Sequence, residues 1–141
     1  MYISNNNGVS NEYTHYYDNS IASILVYFAP GMEYSLSFDY KVGGEADYDY
    51  LRIYALEPET PLEEYYNGTP ISNMLYEQTS WTQFSYNIPE SWIGSTKQIV
   101  FFWRNDGSDG IQPPAAVDNI SIIGTTCTKP SGVIVSDLSE T

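Results

Sequence analysis

The chain has 141 residues, which is the size of one ordinary domain with at most a fragment of a second. Its 18 acidic and 5 basic residues give a formal net charge of −13, a field that repels nucleic-acid phosphates and anionic lipid. A single cysteine, Cys127, excludes an internal disulfide and a cysteine-based zinc cluster, and no apolar run reaches the roughly 18 residues of a membrane span.

The first three predicted strands follow one another closely. Residues 21–28 form an apolar segment that ends before the turn signal Pro30-Gly31. In residues 33–42 apolar and polar side chains alternate, which predicts a strand with one buried face and one wet face. In residues 48–56 apolar side chains occupy both phases of the alternation, so we expect a central strand that is covered on both faces.

Residues 57–80 form a connection that is longer than a hairpin needs. Long loops on a rigid β scaffold are where binding usually occurs, and this one places two tyrosines after acidic residues. Exposed aromatic rings stack on sugars or proteins, and carboxylates accept hydrogen bonds. The candidate ligand-binding residues are therefore Glu63, Glu64, Tyr65 and Tyr66, with a simple surface insertion as the alternative.

The last three predicted strands are residues 82–88, 97–104 and 116–123. Trp103 alternates with Ile99 and Phe101 in the second of them, so core packing is the predicted role of its ring. No segment repeats apolar residues at the spacing of a helix. Many short strands without helices predict an all-β fold, a sandwich or jelly roll of antiparallel strands.

Four pieces of the chain, in order, resemble one family of surface domains. They are YISNNNG, YSLSFDYKVGGEADYDYLRIY, TSWTQFSYNIPESWIG and VFFWRNDGSDGIQPPAAVDNISIIG. Together they are similar to the cleaved-adhesin and choice-of-anchor jelly-roll domains of Bacteroidetes-type surface proteins, which are MAM-like in shape. The resemblance implies a jelly-roll domain over residues 1–124. The family normally has a further N-terminal strand, which the sequence lacks, and a missing strand would expose an edge of the sandwich.

The end of the chain has a different character. CTKPSGVIVSDLSET is small, polar and β-branched, and it resembles the opening strand of a fibronectin type III repeat. Residues 125–141 are therefore expected to be a linker and the truncated first strand of such a repeat. The resemblance implies a neighbouring fibronectin type III domain in the parent protein, with signal and anchor outside this segment.

Catalytic chemistry finds little support in the sequence. Nucleophilic hydrolysis needs a Ser or Cys beside a His with an orienting acid, but His15 lies in an Asn- and Tyr-rich turn and Cys127 lies in the predicted linker. Glycoside hydrolysis needs two carboxylates across a sugar, and Asp47 with Asp49 or Asp106 with Asp109 are the candidate pairs, but such spacings are common and carry little weight. We therefore expect a non-catalytic domain.

The acidic residues fit a structural calcium better than catalysis, because Ca²⁺ prefers carboxylate and carbonyl oxygens on loops. The segment AAVDNISI resembles the last strand of many jelly-roll modules, in which the Asp at the position of Asp118 helps to hold calcium. A carboxylate that enters a half-buried strand needs a cation or donors, so the alternative is that Asp118 accepts backbone N–H groups. A second acidic group completes the predicted metal ligands: Asp39, Asp47 and Asp49.

The resemblance implies a function in adhesion. We expect an extracellular or cell-surface module that binds a glycan or a host matrix protein, with no nucleic-acid partner and no membrane insertion by this segment. Trp81 and Trp92 match family positions that close the sandwich, which implies structural roles for both. The competing interpretation is a structural spacer without a ligand, and a concave, exposed aromatic patch around Tyr65 and Tyr66 would favour binding instead.

Overall fold

The computed structural model describes residues 1–126, which form seven β-strands and two short 3-10 helices. The strands are β1 (Asp18–Tyr27), β2 (Met32–Val42), β3 (Tyr50–Leu56), β4 (Thr69–Pro70), β5 (Gln78–Asn87), β6 (Thr96–Asn105) and β7 (Ala116–Thr126). The first 3-10 helix spans Leu62–Asn67 and the second spans Glu90–Trp92. The predicted fibronectin type III strand and Cys127 lie outside the described residues.

The strands pair into two antiparallel sheets. Sheet I has the order β1-β6-β3-β4, and sheet II has the order β5-β2-β7. The predicted all-β sandwich of antiparallel strands is confirmed, and all six predicted strands are present. The two-residue strand β4 was not predicted, because it is too short to show alternation. In the described part of the chain, no helix has the length and apolar character needed to cross a bilayer.

The core lies between the sheets and is made by the inward-facing half of each alternating strand. Leu36 and Phe38 of β2 are fully buried and share one cluster with Ile99, Phe101 and Trp103 of β6. The Phe38 and Phe101 rings meet edge to face, with 5.3 Å between centroids. Burial of each such side chain contributes about 1.5–3 kcal/mol to stability. The predicted core role of Trp103 is confirmed, since only 1% of it is exposed.

The outer face of sheet I is partly covered as well. Tyr50, Tyr54 and Leu56 of β3 form a second apolar cluster with Phe102 of β6. The first 3-10 helix covers this cluster, and its Tyr65 ring stacks on Phe102 at 3.9 Å between centroids and 22° between planes. Strand β3 is therefore apolar in both phases because both of its faces are covered, as predicted.

Sheet II is irregular on both sides of β2. Lys41 of β2 lies opposite three residues of β5, 79–81, so that β5 bulges there. Phe38 of β2 lies opposite two residues of β7, Asn119 and Ile120, and Asn119 has a φ of 50° in the left-handed region. Bulges bend a strand and redirect its side chains. Asp39, Lys41, Trp81 and Asp118 lie at or beside these two bulges.

Candidate functional site

Trp81, in the β5 bulge, is the exposed tryptophan of the chain. Its side chain is 52% exposed, whereas Trp92 and Trp103 are 8% and 1% exposed. The Lys41 ammonium lies 5.2 Å from the centroid of the Trp81 ring, within the range of a cation–π contact. The expectation that Trp81 closes the sandwich was therefore wrong, and its indole is a surface on which a ligand ring can stack.

In the β7 bulge, one asparagine donates hydrogen bonds to two carboxylates. Asp39 and Asp118 are in register across β2 and β7. Asn119 donates from its side-chain nitrogen to Asp39 Oδ2 at 2.7 Å and from its backbone N–H to Asp118 Oδ1 at 2.8 Å. Asparagine tolerates the left-handed conformation found here better than most residues. Both carboxylates are thus oriented, and each keeps one oxygen without a hydrogen bond to another described residue.

A shallow depression of about 250 Å³ lies beside Trp81 and Asp118, and Asp39 is in register with Asp118 next to it. Its lining includes Tyr2, Asn11, Lys41, Trp81 and Asp118. Both polar atoms of the Asn11 amide are buried and have no hydrogen-bond partner among residues 1–126. An unpartnered buried amide costs about 1–3 kcal/mol, so a hydroxyl group that reached it would remove a penalty. We call these residues the Trp81 surface: Asp39, Lys41, Trp81 and Asp118 of sheet II, together with Asn11 of the loop before β1.

The predicted ligand-binding residues of the first 3-10 helix lie elsewhere, on the outer face of sheet I. Tyr66 is 66% exposed, but Tyr65 is half-buried against Phe102. Glu63 is exposed, and Glu64 Oε2 accepts a 3.2 Å hydrogen bond from the Asn67 side chain. The structure therefore gives the two tyrosines different roles, since Tyr65 packs on the sheet and Tyr66 faces solvent.

The predicted metal ligands in the turn before β3 do not join Asp39 and Asp118. Asp47 is exposed, with a φ of 66°. Asp49 is fully buried, and its two oxygens accept 2.7 Å hydrogen bonds from the Tyr13 hydroxyl and the backbone N–H of Asp106. Burial, followed by the hydrogen bond to Asp49, raises the pKa of Tyr13, so the hydroxyl remains a proton donor. Asp49 thus has the bonds that a structural carboxylate needs.

Asp118 differs from the expectation in its surroundings. It is exposed, so the burial that was expected to demand a cation or donors is absent, and that argument was wrong. It does accept a backbone N–H, that of Asn119, as the alternative anticipated. Within the described range 1–126, no three His, Cys, Asp or Glu side chains are grouped so as to hold a metal ion. Calcium binding stays a prediction, with Asp39 and Asp118 as its acidic pair.

Trp81 could have been recognised from the sequence by the phase of the alternation in β5. Phe84 and Tyr86 pack against the core, whereas Gln83 and Ser85 are exposed. Trp81 shares the phase of the polar residues, and a period of two assigns it to the wet face. Asn11 carried no comparable signal, because its position depends on a loop that packs against a distant strand.

The sequence matches no protein-family model, and no curated protein matches it. Among solved structures the chain is similar to one described as "Family 16 Carbohydrate Binding Module-2". The identity is 22% and the TM-score 0.44, over 75% of this chain and 70% of that one. At this level of likeness, the fold and function of the chain rest on its own residues.

Proposed function

We propose that this chain is a non-catalytic module that binds a neutral glycan at the Trp81 surface. The observation that carries the proposal is the half-exposed indole of Trp81, set in a bulge at the margin of a shallow depression. A large aromatic side chain loses hydrophobic stabilisation when it stays in water, and exposed aromatic rings beside converging polar groups are typical of ligand sites.

Trp81 supplies the apolar part of sugar recognition. One face of a pyranose ring presents C–H groups, which pack on an indole ring, while the rim of hydroxyl groups requires hydrogen-bond partners. Tryptophan has few rotatable bonds, so little conformational entropy is lost when it is immobilised by a ligand. The indole is thus a low-cost platform for a sugar ring.

The neighbouring polar groups match the hydroxyl rim. Asp39 and Asp118 are acceptors, Lys41 is a donor, and the Asn11 amide is both. Hydrogen bonds to ionised groups are stronger than neutral ones. Asn119 already orients both carboxylates, which reduces the ordering that binding requires. With two acids on the surface and a net charge of −13, a neutral ligand is favoured there over an anionic one.

The surroundings of the single histidine support a non-catalytic role. His15 is exposed and packs edge to face on Tyr13, with 5.4 Å between ring centroids. Among residues 1–126 it makes no hydrogen bond to a Ser or Cys that could act as a nucleophile. General-base catalysis needs that bond or a substrate-filled equivalent.

The proposal extends to the setting of the module. We place it in an extracellular or cell-surface adhesin, beside a fibronectin type III domain, where glycan binding would serve attachment. A host matrix protein is the alternative ligand, because Trp and Tyr also dominate protein interfaces. A structural calcium remains part of this proposal. The spacer interpretation is what remains if neither ligand binds.

Tryptophan fluorescence tests the proposal directly. Because Trp92 and Trp103 are buried, collisional quenching by iodide reports mainly on Trp81. Neutral cello-, xylo- and manno-oligosaccharides are titrated, and the expected result is protection of Trp81 by at least one series. Trp81→Ala, which lacks the fluorescent reporter, is titrated by calorimetry beside wild type, and it should weaken that binding about 30-fold, as expected for loss of an interfacial tryptophan worth about 2 kcal/mol.

Tyr27→Ala is the matched control, because Tyr27 is an exposed aromatic residue of β1 on the other sheet and lies outside every proposed site. It should leave neutral-glycan binding unchanged. If no neutral oligosaccharide protects Trp81, the glycan proposal fails. A matrix-protein screen with wild type and Trp81→Ala then separates a protein-binding surface from a spacer.

A further inference from the structure

We propose a second binding site, on the outer face of sheet I, in which Arg104 binds the carboxylate of an acidic sugar residue. It does not rest on the proposed function, since the Trp81 surface belongs to sheet II. Arg104 lies in β6, in register with Asn19 of β1 on one side and Tyr50 of β3 on the other. It is therefore in the middle of the sheet, where its position is set by two ladders of backbone hydrogen bonds.

Arg104 has no carboxylate partner in the described part of the chain. The ion pair found within 4.0 Å among residues 1–126 is that of Lys97 and Glu57. The nearby Asp106 carboxylate instead accepts two 2.7 Å hydrogen bonds from Ser108, which hold the pKa of Asp106 below its usual value. A ligand carboxylate that binds Arg104 therefore does not have to displace any of the described acids.

One donor of Arg104 is also unsatisfied. Its Nε is buried and has no hydrogen-bond partner among the described residues. A buried donor without a partner costs about 1–3 kcal/mol. Nε and one terminal nitrogen form the side-on fork that binds both oxygens of a carboxylate. The unsatisfied atom lies on that edge of the guanidinium, and because it is buried, a carboxylate reaches it only when neighbouring side chains move aside.

The guanidinium of Arg104 is contacted by tyrosine side chains instead of by acids. Its Cζ lies 5.9 Å from the centroid of the Tyr17 ring, in cation–π range. On the other side, Tyr50 of β3 lies directly opposite Arg104, and interaction with its side chain raises the pKa of Arg104. Tyr50 itself is buried and rigidly placed in β3. The cation is thus oriented before any ligand arrives, which lowers the entropy lost on binding.

The surrounding rings supply the sugar-binding part of the site. Tyr17 and Tyr66 are both 66% exposed. Tyr65 lies 5.7 Å from Tyr66 between ring centroids. Tyr65 stacks on Phe102, which lies two residues before Arg104 on the same face of β6, so these rings are close to the guanidinium. A sugar ring that stacks on an exposed tyrosine can reach Arg104 with its carboxylate.

The chemistry of the site favours a single carboxylate over a polyanion. The net charge of −13 opposes any dense array of phosphates. At physiological ionic strength, however, charges more than about 8 Å away are largely screened. One carboxylate in direct contact with Arg104 therefore gains the local attraction, while distant acids act on it weakly.

The test uses acid and neutral forms of the same sugars. Trigalacturonate is compared with its methyl ester, and 3′-sialyllactose with lactose, in two-dimensional NMR of ¹⁵N-labelled protein. The expected result is that at least one acidic sugar shifts the Arg104 Nε–H resonance and the amides of Asn19 and Tyr50, while its neutral form does not. The trigalacturonate and sialyllactose arms distinguish a uronic acid from a sialic acid as the source of the carboxylate.

Arg104→Gln should weaken acid binding about 30-fold or more, because truncating one partner of a buried charge pair costs at least 2 kcal/mol. Tyr17→Ala, at an exposed position that folding tolerates, should weaken it about fivefold through the lost cation–π contact. Arg52→Gln is the matched control. Arg52 also packs on a tyrosine, but its Nε already donates to the Ser72 carbonyl at 3.3 Å.

Three outcomes would overturn the proposal. Equal affinity for the acidic and neutral forms of a sugar would show that its carboxylate is not recognised. Unchanged acidic-sugar binding in both Arg104→Gln and Tyr17→Ala would show that the sugar binds elsewhere. Shifts confined to the Trp81 indole would assign acidic sugars to the Trp81 surface instead, which leaves the proposed glycan function standing. If no neutral oligosaccharide protects Trp81 but an acidic sugar shifts the Arg104 resonance, the proposed neutral-glycan function fails and the Arg104 site stands.

Discussion

Tyr13 and Asp49 are joined by a 2.7 Å hydrogen bond from the tyrosine hydroxyl to Oδ2 of the carboxylate, at the end of the sandwich. The second oxygen of Asp49 accepts the backbone N–H of Asp106 at 2.7 Å. The buried Asp49 carboxylate, at the start of β3, therefore links the loop before β1 to the loop after β6. Gly110 packs so closely against both side chains that a Cβ there would clash with them.

Replacing Asp49 should destabilise the protein strongly. Asp49→Asn presents an amide nitrogen to one of two donors, and loss of a charge-assisted hydrogen bond costs about 1.5–3 kcal/mol. Asp49→Ala should cost more, because it leaves both donors unpaired. Urea unfolding measures the change, with Asp47→Asn as the control, since Asp47 is an exposed acid in the same turn. Equal urea midpoints for the Asp49 and Asp47 variants would contradict the structural role of Asp49.

Stability should fall above about pH 10, the usual pKa of tyrosine. The pKa of Tyr13 is raised in the folded state by burial and by Asp49. Below the unfolded value both states hold the proton and the contribution is fully present. Above it the unfolded chain loses its proton first, so stability is lost at up to about 1.4 kcal/mol per pH unit until the folded pKa is reached.

Urea midpoints measured between about pH 8 and 11 check this slope. Tyr13→Phe should be less stable at neutral pH but show a shallower decline, whereas Tyr16→Phe, at a position 76% exposed, should keep the wild-type slope. Burial also raises the pKa of Tyr40, Tyr54 and Tyr65, so part of the decline should persist in Tyr13→Phe. An identical slope in both variants would exclude Tyr13 as a contributor.

The tryptophans should separate clearly in a stability assay. Trp103→Ala should cost about 3–5 kcal/mol, because it leaves a cavity in the core. It also removes the indole N–H that donates to Asn105 Oδ1 at 3.1 Å. Trp81→Ala should change stability by no more than about 1 kcal/mol, since its ring is half exposed. A larger loss for Trp81→Ala than for Trp103→Ala in thermal unfolding would reverse the two roles.

Calcium should raise the melting temperature if Asp39 and Asp118 contribute to a site. A ligand that binds only the folded state stabilises it by about 2.7 kcal/mol at 100 times its dissociation constant. Asp118→Asn should remove most of the increase, whereas Asp109→Asn, in an exposed loop, should keep it. Identical melting in calcium and in chelator would end the calcium prediction and leave Asp118 as an acceptor for the Asn119 N–H.

The alternation of side chains along each strand determined the fold class, the six main strands and the burial of Trp103. A period of two is a local property: it depends on the backbone of one strand, so it is visible in one sequence. The covered outer face of β3 followed from the same pattern, because both phases are apolar. The same alternation assigns Trp81 to the solvent-facing side of β5, so its exposure could also have been predicted from the sequence.

The tertiary structure alone decided which of these residues meet. The bulges opposite Lys41 and Phe38 arise from pairing between strands far apart in sequence, so no local pattern marks them. The same holds for Asp49, whose partners come from distant loops, and for Tyr65, which packs on Phe102 although its neighbour Tyr66 faces solvent. Residue type and spacing indicate what a side chain can do, but its partners depend on long-range register and loop packing.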